Sequence, residues 1–217
     1  MDNLNQLVEN FQVLLGKARE FLAKSEFDES LDNFYKAEKL LNENGLTKMI
    51  KKEDKILLYR GLAFAHHNKN NVDQAILYSK EVLSLAKDDL ITLNNLAIFY
   101  RSKKKFNKSI DVLNQLLDVK PDAWEAYYNM SRSYIGLGEL EKAKNCLFQA
   151  NKIDPNNNAI LNDIAALTDD IDEKYEKLLT IKDELLKDDN NIFDDGTYSD
   201  NLIDVFTNLG TVNLIKG

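Results

Sequence analysis

Few residues in this chain have the chemistry for catalysis, and their spacing argues against it. There are two histidines, His66 and His67, and one cysteine, Cys146, in 217 residues. Adjacent positions on a helix diverge by about 100°, so His66 and His67 cannot both ligate one metal from one face. His66 falls in a packing column and His67 on the opposite surface. Cys146 has no histidine near it in sequence. A Cys–His nucleophile, a disulfide and a cysteine metal cluster are therefore not expected. The run DDNNIFDDG looks like a calcium loop but puts Phe193 at an alternate position, and no Glu follows at the required distance. The GLG at 136–138 follows a helical pattern instead of a strand, so it reads as a helix C-terminus and not a nucleotide loop. The expectation is no catalytic site, no metal and no cofactor.

The elements that would position any site are helices. Only 8 Gly and 2 Pro are present, while 44% of residues are hydrophobic. Few turns need special backbone angles, and the apolar content is enough for a core. Pro121 and Pro155 are 34 residues apart, a period typical of paired-helix repeats. Shifting the chain by 34 aligns Tyr59, Leu93 and Tyr127, then Leu62, Leu96 and Met130. Small residues follow at Ala63, Ala97 and Ser131, and the next column holds His66, Tyr100 and Tyr134. Further columns hold Ala75, Ser109 and Ala143, then Val82, Leu116 and Ala150. A two-helix unit cannot bury its own apolar stripe. Small residues let helices cross closely, and large ones fill the gaps beside the crossing. Turns between the helices fall at Asn68–Asn71, Lys103–Lys105 and Gly136–Gly138.

On these residues the chain resembles the tetratricopeptide-repeat (TPR) family. The run YYNMSRSYIGLGELEKAKNCLFQANKIDP carries nearly every family position. The implied fold is all-α, a right-handed superhelical solenoid of helix-turn-helix repeats. Four repeats are recognisable, at 11–44, 56–89, 90–123 and 124–157. A degenerate fifth spans 158–189, a loop 190–199, and a lone or truncated first helix 200–217, making a single array over 1–217. Eleven additional residues, Gly45–Lys55, separate the first two copies and are expected to lengthen the following helix. The final unit reads as half of a pair, which suggests a longer array.

The resemblance implies that the first helix of each pair lines a concave groove. The sides opposite the packing columns carry Leu15 and Arg19, then Arg60, Phe64 and His67, then Ile91, Asn94, Asn95, Ile98 and Arg101, then Glu125, Tyr128, Asn129 and Arg132. The four Arg among 28 basic residues all fall here. Arg makes forked bonds to carboxylates, and Asn bonds the backbone of an extended peptide. The expected function is a non-catalytic scaffold or adaptor holding a protein or peptide segment with acidic groups. Alternatives are a self-assembling array, a homo-oligomer through the C-terminal helix, and the TPR arm of a larger enzyme such as a transferase. Family members that clamp a chaperone C-terminal carboxylate use Asn and basic residues. Asn95 matches their middle Asn, but Phe64, Glu125 and Asn129 replace the others, and Glu125 repels a carboxylate. A net charge of −8 argues against nucleic acid. The absence of a basic-apolar leader and of any run near 18 apolar residues points to the cytoplasm and no membrane contact.

Overall fold

A computed structural model describes residues 2–43, 46–168, 171–187, 199, 202–203 and 205–209. The elements assigned among them are helical: α1 Asp2–Ala23, α2 Phe27–Glu43, a 3-10 turn Leu46–Lys48, α3 Lys52–Asn68, α4 Val72–Leu85, α5 Leu90–Ser102, α6 Phe106–Val119, α7 Trp124–Leu137, α8 Leu140–Ile153, α9 Asn158–Ala166 and α10 Ile171–Leu185. Residues 202–203 and 205–209 are also helical. The expected loop lies outside the described residues except for Ser199, and so does most of the expected final helix. The chain divides into two compact units, Met1–Lys120 and Pro121–Gly217.

In the first unit, consecutive helices pair as hairpins α1/α2, α3/α4 and α5/α6, and successive hairpins meet through α2 with α3 and α4 with α5. The small residues sit at the crossings. Ala63 is 4% exposed, and Ala75 and Ala97 are fully buried. Leu62, Val82, Leu93, Leu96 and Leu116 fill the space beside them. Gly61 packs so closely on the second helix of the preceding hairpin that an added Cβ would stand 2.1 Å from Phe34 Cζ. In the second unit, α7/α8 and α9/α10 form hairpins, and α8 meets α9. Ser131, Ala143, Ala150 and Ala165 are buried there. Leu202, Val205 and Leu209 close a core with Ala165, Leu178, Ile181 and Leu185.

The turns repeat one backbone device. Asn70, Lys104 and Gly138 stand 34 residues apart, and all have positive φ, at 61°, 56° and 76°. Ser25 does the same in the first hairpin, with φ 60°. One left-handed residue reverses the chain between paired helices, and only Gly138 supplies it without a Cβ clash. Pro121 and Pro155 follow the ends of α6 and α8, where no helical N–H is needed. Asp89 caps α5 by accepting from Thr92 N at 2.9 Å, and Asn157 caps α9 by accepting from Ala159 N at 3.2 Å.

The segment joining the first two hairpins only partly extends α3. Met49 N donates to Leu46 O at 2.8 Å, closing the 3-10 turn. Leu46 and Ile50 are buried, at 0% and 4% exposure. Lys51 is extended, with φ −60° and ψ 149°, so α3 starts only at Lys52. Two apolar anchors outweigh the helical propensity of this stretch.

Candidate functional site

Each groove candidate lies on the first helix of its hairpin: Arg19 on α1, Arg60, Phe64 and His67 on α3, Asn94, Asn95, Ile98 and Arg101 on α5, and Tyr128, Asn129 and Arg132 on α7. Their exposures differ. Phe64 (43%) and Ile91 (57%) face water. Arg19 and Arg132 are also exposed, while Arg60, His67, Asn94, Asn95, Ile98, Arg101 and Tyr128 are half-buried. Leu15 is 3% exposed and belongs to the core instead of the groove surface, where its apolar side chain joins Phe11 and Ala18. Asn129 is only 8% exposed, so it presents little surface to a partner.

Arg60 and Arg132 also hold repeats together. Arg60 Nη2 lies 2.6 Å from Asp89 Oδ2, tying α3 to the cap of α5. That aspartate therefore serves both as helix cap and as guanidinium acceptor. In the second unit, Arg132 Nε donates to Asp163 Oδ2 of α9 at 3.2 Å, and its guanidinium stands 4.8 Å from the Tyr128 ring centre. A second ladder joins the turns of the first unit. Lys69 pairs with Asp28, and Lys103 with Asp73, both at 2.9 Å. Lys69 and Lys103 are themselves 34 residues apart, so each ties its turn to the first turn of the preceding second helix. These acidic partners are separated in sequence from the basic residues they meet, so the spacing within one helix does not reveal them.

His67 stacks on Phe99, ring centres 4.6 Å apart, and burial lowers its pKa. His66 is 4% exposed and sits in a polar cluster between hairpins. Its Nε2 is 2.7 Å from the Tyr35 hydroxyl, its ring stacks on Tyr78 at 5.6 Å, and the Tyr78 hydroxyl donates to Glu38 at 3.2 Å. Burial lowers the His66 pKa and raises that of Glu38. A folded His pKa below the unfolded value means that the unfolded chain binds more protons, so stability falls as pH drops below about 6.5. Glu38 works in the opposite sense, because burial raises its folded pKa above the unfolded value. Replacing His66 with Phe keeps the ring stack and removes one titrating group. The acid-side slope of stability should become shallower in urea melts from pH 8 to 5, and an unchanged slope would show that His66 does not drive it.

Cys146 is a buried core thiol whose pKa is pushed up to about 11 by desolvation, so it is a poor nucleophile at neutral pH. Among the described residues no group of three or more His, Cys, Asp or Glu could hold a metal ion. None of their helices is long and apolar enough to cross a membrane. Trp124 packs half-buried on Leu147, Ala150 and Ile160, at the boundary between the two hairpins of the second unit. Gly138 closes α7 in the left-handed region, as expected of its place in the repeat.

Successive hairpins with one turn geometry and buried small residues at fixed period define a helical-hairpin repeat protein. Residues 100–167 match the tetratricopeptide-repeat family. The fold of the chain is that of TPR solenoids. It is 29% identical over 114 residues to the uncharacterized protein YgeG of Escherichia coli strain K12, a match spanning 52% of this chain and 67% of that one. TTC0263, a thermophilic TPR protein of Thermus thermophilus, is 20% identical. That match covers 94% of this chain and 99% of the other, with a TM-score of 0.62. The first TPR of Spaghetti (RPAP3), solved with the HSP90 peptide SRMEEVD, is 19% identical and covers 54% of this chain and 93% of its own, with a TM-score of 0.51. These structural likenesses show the fold.

Proposed function

We propose that this chain is a non-catalytic protein-interaction module whose first-helix faces take a protein segment bearing acidic groups. In the first unit the receiving face comprises Arg19, Arg60, Phe64, His67, Asn94, Asn95, Ile98 and Arg101. In the second, Tyr128 and Arg132 occupy the equivalent positions. The observation that carries the reading is the placement of all four Arg on first helices, away from the packing columns, in a chain whose other basic residues are Lys. Phe64 and Ile98 add apolar contact beside them. The HSP90 peptide held by the Spaghetti domain, itself rich in Glu, supports this reading by analogy of fold. The repeat division given above is the one we propose for the array.

Arg60 and Arg132 bridge neighbouring helices, so their loss would disturb packing as well as binding. The test uses Arg19→Ala/Arg101→Ala, with both changes in the first unit, and urea melts of the variant separate lost binding from lost packing. Twelve-residue peptides selected from a random display library on the wild type should be rich in Asp and Glu. Their affinity should fall at least tenfold in the double variant, with a flatter salt dependence. Self-association is a second reading, favoured by the exposure of Ile203 (47%) and Phe206 (37%). Light scattering of the wild type and of Ile203→Ser/Phe206→Ser separates the two, since only self-association predicts a mass that falls in the variant.

A further inference from the structure

A different surface of the second unit has the opposite charge. Phe148, on α8, is 63% exposed, more than any other large hydrophobic side chain among the described residues. A cavity of about 480 Å³ opens beside it, floored by Leu161 and Ile164 of α9 and Ile181 of α10. A neighbouring cavity of about 320 Å³ shares Phe148 and Ile164 and continues to Leu167. An aromatic ring left in water beside an open apolar floor is a recurrent mark of an interaction site.

The rim selects the occupant. Lys177 Nζ is 2.6 Å from Glu173, and Lys144 is 3.3 Å from Glu141, so both cations at the edge are already matched by carboxylates. Glu176 and Glu184 line the larger cavity, are exposed, and have no ion pair among the described residues. They stand eight residues apart on α10, about 12 Å along the helix axis. An acidic segment would be repelled here, and a second copy of this chain would bring the same carboxylates and a net charge of −8. We propose that the groove formed by α8, α9 and α10 docks a basic amphipathic segment of another protein. A large apolar side chain enters beside Phe148 and Ile164, and Lys or Arg residues on either side meet Glu176 and Glu184.

This proposal does not depend on the Arg-bearing faces and can fail separately. Random twelve-residue peptides displayed on phage would be selected on the wild type and counter-selected on Phe148→Ser, a change at an exposed position that leaves the core intact. Clones lost on Phe148→Ser should carry an aromatic or aliphatic residue flanked by Lys or Arg. In anisotropy titrations their synthetic peptides should bind Glu176→Gln/Glu184→Gln at least tenfold more weakly, while Arg19→Ala/Arg101→Ala leaves them unchanged. The proposal is overturned if no clone distinguishes Phe148→Ser, if the distinguishing clones are neutral or acidic, or if the Gln variant binds them as well as the wild type. It is equally overturned if the protein itself forms a dimer that Phe148→Ser dissolves, because a second copy then fills the groove.

Discussion

Gly61→Ala should destabilise the protein by about 2–4 kcal/mol, although alanine is the better helix former by about 1 kcal/mol. The added methyl would stand 2.1 Å from Phe34 Cζ and 2.7 Å from both Cε atoms. The Phe34 ring is fully buried, so it has no free space to move into. Steric conflict therefore exceeds the gain in propensity. Phe34→Leu deletes the three ring atoms that conflict. On that background Gly61→Ala should turn neutral or stabilising, with the helix propensity then unopposed. Urea denaturation of the two single variants and the double variant measures this reversal. Simple additivity would mean that the close approach of α2 and α3 is not what requires glycine.

The second large effect is expected at Ala97, which is fully buried on α5, between α4 and α6. Leucine adds three carbons where a helix crossing leaves no volume, and the cost should be about 2–3 kcal/mol. Phe64→Ala, on the exposed side of α3, should change stability by less than about 1 kcal/mol, because that position lies outside the core. Together the two variants separate the packing side of the first helices from the side offered to a partner. Comparable losses at both positions would remove that division.

The packing side is legible in the sequence because it repeats. A fixed period of 34 places Ala63, Ala97 and Ser131 in one column, and a column needs no knowledge of its partner to be seen. The turns at 68–71, 103–105 and 136–138 are also visible, since polar and glycine residues interrupt each helical pattern. Other features are not. Gly61 reads as an ordinary loss of helix propensity until Phe34, 27 residues earlier, is placed against it. Leu15 reads as an open-face residue, yet it is buried, because its spacing from Phe11 and Ala18 puts it on the same buried side of α1. The acidic partners of Arg60 and Arg132 lie 29 and 31 residues away, so side-chain type alone marks an Arg as available when its guanidinium already bridges two helices. The groove beside Phe148 is hidden for a related reason. An apolar residue on a second helix looks like core until its neighbours leave it uncovered.

Recognition of acidic groups by the Arg-bearing first helices is the central functional claim. Its most direct test is a titration of a display-selected acidic peptide against the wild type and Arg19→Ala/Arg101→Ala, each at low and high ionic strength. Charge recognition by these helices predicts binding that weakens steeply with salt in the wild type, and at least a tenfold lower affinity with a reduced salt slope in the variant. Equal affinities and parallel salt slopes for the two proteins would contradict it.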